Sequence, residues 1–202
     1  MPVKPIEKST SSFFVKHATI ADSLEQIASE LGGAIEGKYS SYFIEYDLFI
    51  PLEKGQLQIK AQKQLTSVDA KIIPRDAFYV RITELILELD KASKESVVIK
   101  TGKGLKGILL KNLNGFNQIH GHPKHLYKTS SETIFNQILI NANADFWNYP
   151  LNEFRCAAGK NEVYLKFFHF IEDGDELKRL ITFFSKIAKT LISYYPDNNL
   201  ND

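Results

Sequence analysis

The C-terminal stretch, residues 161–195, limits the fold more than any other part of the chain. Large apolar side chains recur in its second part at three- and four-residue steps, which is the spacing of one stripe on a helix. These side chains are Leu177, Leu180, Ile181, Phe184, Ile187, Ala188, Leu191 and Ile192. A stripe of this size in a soluble chain needs a surface to cover. We therefore expect a long helix that closes the core.

The segment before this helix is typical of a strand with two apolar faces. Val163, Leu165, Phe167 and Ile171 alternate with Tyr164, Lys166, Phe168 and Phe170. Successive side chains of a strand point to opposite faces, so both faces of this strand are expected to pack. It is predicted to lie in the middle of a sheet, beneath the helix.

Earlier segments predict two more helices and several antiparallel strands. One helix is expected over about residues 21–31 with Thr19 as its N-cap, and a second one from Thr129, in a capping box with Glu132, to about Ala144. Residues 42–50 and 57–62 alternate as a hairpin. Residues 78–89 fit both periods, and we favour a strand that turns into a helix. Glycine and asparagine recur throughout residues 97–127, and this pattern predicts hairpins with short strands and turns.

Together these elements predict an α+β fold, with an antiparallel sheet and helices packed mainly on one face. A single compact domain is expected over residues 15–196, between a flexible N-terminal segment, residues 1–14, and a disordered tail, residues 197–202. The polar residues 91–96 mark an internal division. A further hypothesis is that the chain contains two related helix–hairpin halves, because Gly37-Lys38 and Gly159-Lys160 each separate two predicted strands.

The amino-acid composition favours one cellular compartment and limits the classes of partner that the chain is expected to bind. The single cysteine, Cys156, cannot form an intramolecular disulfide, which favours a reducing compartment and predicts a cytoplasmic protein. The N-terminus lacks the apolar core of a signal peptide, and no apolar run approaches the roughly 20 residues that span a bilayer. A net charge of +1 gives no global reason to bind nucleic acid or an acidic membrane. Any such partner would have to be recognised locally.

The distribution of charge is the strongest functional signal in the sequence. Residues 96–131 contain no acidic residue, but they contain Lys100, Lys103, Lys106, Lys111, Lys124 and Lys128. We expect these lysines to cluster on one surface, beside the N-terminus of the helix that follows Thr129, and to bind an anion there. The alternative is an ordinary solvated face without a ligand, because a specific phosphate site more often uses arginine than lysine.

Three histidines in the same segment raise the question of a metal site. His120, His122 and His125 form H-x-H-x-x-H, which resembles the opening of the binuclear-metal hydrolase motif. Lys124 stands where that motif has an aspartate, and only His169 follows, so a second ligand set is missing. We therefore expect neither a metal nor another cofactor. A small metal-dependent hydrolase that uses these histidines remains the alternative.

The glycines that precede these histidines match the letters of a dinucleotide fingerprint. Gly102, Gly104 and Gly107 spell G-x-G-x-x-G after the predicted strand, residues 97–100. That fingerprint requires a helix at the third glycine and an acidic residue about 20 residues later. The sequence predicts no such helix and has no acidic residue between Gly107 and Glu132. A glycine-rich hairpin turn is therefore the favoured interpretation.

The function predicted from these signals is non-catalytic binding, with an acidic protein or an anionic small molecule as the partner. Cys156 is expected to be a buried core residue, because a nucleophilic thiol would need a base such as His169 beside it. A structural subunit that forms a homo-oligomer through an aromatic face is a third class of function.

Overall fold

The computed structural model describes residues 7–8, 15–39, 43–65, 79–102, 104–142, 147 and 151–193. Within them it has ten strands and four helices. In chain order these are β1 (Glu7–Lys8), α1 (Val15–Glu30), β2 (Ala34–Tyr39), β3 (Phe43–Leu52), β4 (Gly55–Leu65), β5 (Tyr79–Leu89), β6 (Val97–Thr101), α2 (Gly104–Asn114), β7 (Asn117–Ile119), β8 (His122–Thr129), α3 (Glu132–Asn141), β9 (Leu151–Cys156), β10 (Glu162–Phe167) and α4 (Gly174–Ser193).

All ten strands belong to one sheet, in the order β1-β2-β3-β4-β5-β10-β9-β6-β8-β7. Every neighbouring pair is antiparallel except β1 and β2, which are parallel. The predicted α+β fold with an antiparallel sheet is confirmed. β10 lies between β5 and β9, so it is a central strand as predicted.

One face of this sheet is buried along almost its whole width. The register aligns Leu85 with Leu165, Leu165 with Phe154, and Phe154 with Ile99, and all four side chains are completely buried. Helices α1, α3 and α4 cover this face, since α4 packs on β4 and β5 as well as on both other helices. Helices therefore lie mainly on one face, as the sequence predicts.

Helix α4 closes the core in the way that its sequence predicts. Its buried side chains include Leu177, Leu180, Ile181, Phe184, Ile187, Ala188 and Leu191, while Ile192 is partly buried against the same cluster. Phe183 is also buried. Among the helices of the described part of the chain, none is long and apolar enough to cross a bilayer.

Several predicted element boundaries and types are wrong. Thr19 does not cap α1, because that helix begins at Val15. β5 is a strand throughout, with no helical part. The N-cap of α3 is Ser131, whose Oγ accepts a hydrogen bond from the Ile134 N–H at 3.4 Å, whereas Thr129 ends β8. For β5, pairing with both β4 and β10 selects the strand over the helix.

Residues 97–127 contain a helix that the sequence analysis missed. Glycine and asparagine punctuation predicts hairpins there, but α2 occupies Gly104–Asn114. Leucine and lysine favour helix strongly enough to outweigh two glycines. Gly115, at a φ of 64°, then ends the helix in the left-handed conformation that glycine adopts without strain.

The structure describes the chain ends only in part, and it does not support the predicted repeat of two related halves. Glu7–Lys8 pairs with β2, whereas residues 1–6, 9–14 and 197–202 lie outside the described residues, so the flexible segment and the tail stay predictions. Gly37-Lys38 lies inside β2, whereas Gly159 is in a turn, so this pair of sites does not support a repeat. Residues 90–96 do lead from one half of the sheet, β1–β5, to the other half, β6–β10.

Candidate functional site

Strand β8 determines which of the predicted lysines share a surface. Lys124 and Lys128 are exposed and alternate with the buried His125 and with Tyr127, whose ring stacks on Phe135 of α3 at 3.9 Å. Adjacent side chains of a strand point to opposite faces. Lys124 and Lys128 therefore lie on the face of the sheet opposite α3.

Two more lysines reach the same face from neighbouring elements. Lys100 of β6 is paired with Leu126 of β8, which lies between Lys124 and Lys128 in the strand. Lys111 of α2 donates a hydrogen bond from Nζ to Oε1 of Gln118 at 2.7 Å, and Gln118 of β7 is also paired with Leu126. Four of the six predicted lysines are therefore on one face, at the β6–β8–β7 end of the sheet.

The charges of these lysines are not equally available. Lys100 Nζ lies 3.3 Å from Glu153 Oε1, and this ion pair offsets its charge. Lys111 and Lys128 instead donate to neutral oxygens, since Lys128 Nζ donates to the carbonyl of Asn114 at 3.1 Å. A cation at the carboxyl end of a helix is stabilised by the helix dipole. We call Lys111, Lys124 and Lys128 the lysine face.

Lys103 lies outside the described residues, and Lys106 is placed in α2 by its backbone. Lys111 belongs to α2 and Lys128 donates to the carbonyl of its last residue, Asn114, whereas α3 lies on the other side of the sheet. The expectation that the lysines lie beside the N-terminus of α3 is therefore wrong.

The glycine motif holds α2 against the sheet. A Cβ atom on Gly107 would lie 2.9 Å from the carbonyl oxygen of Gly102, and one on Gly102 would lie 2.5 Å from Cδ1 of Leu126. Both distances are too short for a side chain, so these glycines permit a close approach of the helix to the end of β6. The motif joins a strand to a helix and is not a hairpin turn.

This junction still lacks the other features of a dinucleotide site. The fingerprint occurs between parallel strands of a β–α–β unit, with an acidic residue for the ribose. β6 is antiparallel to both of its neighbours, β8 and β9, and no acidic residue lies between Gly107 and Glu132. The glycines serve packing here.

Helix α2 presents two aliphatic side chains to solvent. Ile108 is 55% exposed and Leu109 is 52% exposed, whereas Gly107 is buried and Leu110 is half-buried. Sequence reasoning missed this feature because it missed the helix. The spacing of Leu105, Ile108, Leu109 and Leu113, together with Gly115 as a stop signal, would have indicated it.

The three histidines are not gathered into a metal site. The His122 ring stacks on the indole of Trp147 with centroids 4.3 Å apart, and the His125 ring meets the same indole edge-on at 5.3 Å. His120 is exposed in the turn between β7 and β8. Within the described ranges, no three His, Cys, Asp or Glu side chains are close enough to hold a metal ion. The arrangement is that of aromatic packing.

Cys156 and His169 are too far apart to act together. Cys156 is completely buried and is paired with Val163 of β10, whereas His169 follows the end of that strand. Val163 and Phe167 are four residues apart in β10, which corresponds to about 13 Å, and a bend at residues 168–169 then precedes α4. The His169 Nε2 atom instead lies 3.0 Å from Oε1 of Glu176. Cys156 is a buried core residue, as predicted.

The rest of the exposed sheet face carries a row of charged side chains aligned by the strand register, among which Lys166–Glu84 and Lys100–Glu153 form ion pairs. Its members, from β2 to β6, are Glu36, Asp47, Lys60, Glu84, Lys166, Glu153 and Lys100. An open concavity of about 590 Å³ covers the β2–β5 part of this row. Burial raises the pKa of Asp47 there, against the opposing effect of Lys60. This concavity does not meet the lysine face.

Comparison with known proteins adds no assignment. No family model, curated protein or solved structure matches this chain.

Proposed function

We propose that this protein binds an anionic partner, without catalysis, through the lysine face. The observation that carries the proposal is that Lys111, Lys124 and Lys128 share one face of the sheet and that the hydrogen bonds of Lys111 and Lys128 go to neutral oxygens. Their positive charges therefore add, while the ion-paired Lys100 contributes less. Such a patch attracts and orients an anion even though the net charge of the chain is only +1.

The distribution of charge over the whole chain supports the same proposal. Residues 96–131 lack any acid, and the remaining residues contain more acidic than basic side chains. An anionic partner is therefore attracted to one end of the molecule and repelled by the rest. Interactions of this kind are screened beyond a Debye length of about 8 Å at physiological ionic strength. Binding is expected to be salt-sensitive and reversible.

The proposal is tested by charge reversal at Lys111 and Lys124. The variant Lys111→Glu/Lys124→Glu should elute from a heparin matrix at clearly lower salt than the parent. A cation beside an anionic surface contributes about 1 kcal/mol, so a change of four charge units should weaken binding by about a thousandfold at low salt. Both side chains are exposed, so the melting temperature should change little.

The matched control reverses two exposed lysines elsewhere. Lys160 lies in the turn before β10 and Lys186 lies on the outer side of α4. Lys160→Glu/Lys186→Glu makes the same change in net charge without touching the lysine face. Equal losses of retention in both variants would show that net charge alone governs binding, and the proposal would then be abandoned.

A further inference from the structure

The exposed surface of α2 combines aliphatic side chains with nearby lysines, and a simple anion site needs only the lysines. Ile108 and Leu109 are adjacent and more than half exposed. Lys111 belongs to the same helix, Lys128 donates to its last residue, and Lys124 lies on the same face of the sheet. We infer, on the basis of the function proposed above, that the partner is an anionic phospholipid surface: the lysine face contacts the headgroups, and Ile108 and Leu109 insert into the interfacial layer.

The orientation of α2 suits this contact. Successive residues of a helix are 100° apart, so Ile108 and Leu109 point away from the sheet when Gly107 and Leu110 point toward it. The other three helices of the described ranges lie on the opposite face of the sheet, so none of them covers α2. α2 can therefore lie parallel to a membrane with its two aliphatic side chains directed into it and with lysines at the level of the headgroups.

The kind of cation favours a lipid surface over an acidic protein. All six basic residues of the segment 96–131 are lysines, and none is arginine. Arginine presents a planar fork that reads individual carboxylates or phosphates, whereas the lysine ammonium is a point charge on a flexible stem. Phospholipid headgroups form a diffuse layer of charge, so lysine can bind them without the planar geometry of arginine. The cores of protein interfaces are instead enriched in Trp, Tyr and Arg, which the exposed part of α2 lacks.

Charge orients the molecule on such a surface and limits its affinity. The remainder of the chain has an excess of acidic residues, so an anionic membrane attracts the end of the molecule that carries the lysine face more than it attracts the rest. Neither the three cations nor the two aliphatic side chains are sufficient for strong binding alone, because stable anchoring generally requires two signals. Binding should therefore require anionic lipid, should depend on salt, and should be reversible.

The experiment is flotation of the full-length protein with vesicles of phosphatidylcholine, alone or mixed with phosphatidylserine. The parent should float only with the mixed vesicles. Ile108→Gln/Leu109→Gln should lower the partition coefficient about tenfold, because each aliphatic side chain loses the gain of leaving water. The single change Leu109→Gln should act in the same direction with less perturbation. Glutamine preserves helix propensity, so α2 should stay folded.

The matched control replaces the other two exposed large apolar side chains of the described chain. Ile140 of α3 is 74% exposed and Phe168 is 54% exposed, and neither belongs to α2. Ile140→Gln/Phe168→Gln should leave flotation with mixed vesicles unchanged. Loss of flotation in this control as well as in the α2 variant would show general hydrophobic adsorption and would overturn the inference.

Retention on heparin and on immobilised polyglutamate separates this inference from the proposed function. Flotation that the α2 variant retains in full would show attraction by charge alone and would overturn insertion by Ile108 and Leu109. Retention on both matrices without flotation would favour an acidic protein partner; the membrane inference would fail while anion binding stands. A parent protein that neither floats nor is retained would overturn both.

Discussion

At the scale of single residues, burial controls the reactivity of the Cys156 thiol. Cys156 carries the only thiol of the chain and is completely buried between Val97 of β6 and Val163 of β10. Burial raises the pKa of this thiol, although a hydrogen bond with Ser93 acts in the opposite direction. The thiolate is the reactive form, so both the access and the ionisation of Cys156 are suppressed in the folded protein.

We expect Cys156 to react with Ellman's reagent only as fast as the fold opens. Labelling of the native protein at neutral pH should be much slower than labelling in denaturant, where the thiol has its ordinary acidity and full access. Absorbance at the thionitrobenzoate band measures both rates. An engineered reference such as Ser185→Cys, at a half-buried position of α4, should label faster than Cys156. Rapid labelling of Cys156 in the folded parent would contradict this account of the site.

At the scale of elements, the exposed sheet face is held together by cross-strand charge pairs. Glu84 of β5 accepts hydrogen bonds from Lys166 Nζ and from Tyr164 Oη of β10. Burial acts to raise the pKa of Glu84, but Lys166, Tyr164 and Lys60 outweigh it, so the pKa is lowered from its ordinary value of 4.5. The same environment raises the pKa of Tyr164 to about 12, chiefly through burial and the charge of Glu84.

The lowered pKa of Glu84 predicts a particular loss of stability in acid. A carboxyl group with a lower pKa in the folded state contributes stability above its unfolded value, near 4.5, and loses it as the pH falls through the folded value. Glu84→Gln should therefore make the melting temperature fall less steeply below about pH 4.5 than it does in the parent.

The control for this pH dependence is Glu88→Gln, which removes an exposed carboxylate from the same strand. Calorimetry of the three proteins between neutral pH and the acid range provides the comparison. A parent-like acid profile in Glu84→Gln would show that this carboxylate does not contribute to the link between β5 and β10.

At the scale of the whole molecule, one pairing and one helix join the two halves of the chain. β5 is the last strand of the first half, and it pairs with β10 over six residue pairs from Glu88–Glu162 to Thr83–Phe167. Helix α4 contacts β4 and β5 of the first half and α3 of the second. Unfolding of either half therefore exposes the core surface of the other.

Truncation of the buried stripe of α4 should destabilise the entire fold. Phe184 is completely buried and Leu180 is 2% exposed. Phe184→Ala should cost about 3 to 5 kcal/mol and Leu180→Ala about 2 to 5 kcal/mol of unfolding free energy. Urea denaturation measures the loss, and Lys186→Ala, on the outer side of the same helix, should cost little. Retention of a cooperative transition after removal of residues 174–202 would show that α4 is not needed to close the core.

Local pattern predicts an element well where one interpretation fits all of its residues. The stripe of α4 and the buried alternation of Leu57, Ile59 and Ala61 in β4 are of this kind. Residues 78–89 fit two periods at once, and pairing of β5 with both β4 and β10 selects the strand. In α2 the glycines are typical of a turn when only the sequence is considered, yet they allow the helix to approach Gly102 and Leu126.

The sequence by itself determined the antiparallel α+β fold, the central strand β10, the closing helix α4 and the acid-free, lysine-rich segment, because periodicity and composition are local properties. Only the tertiary structure decided which lysines share a face, that Lys100 is paired with Glu153, and that Ile108 and Leu109 remain exposed. These facts depend on strand register and on the position of α2, which join residues distant in sequence. The strand register determines which face of the sheet each side chain occupies, and this register cannot be derived from a local sequence pattern.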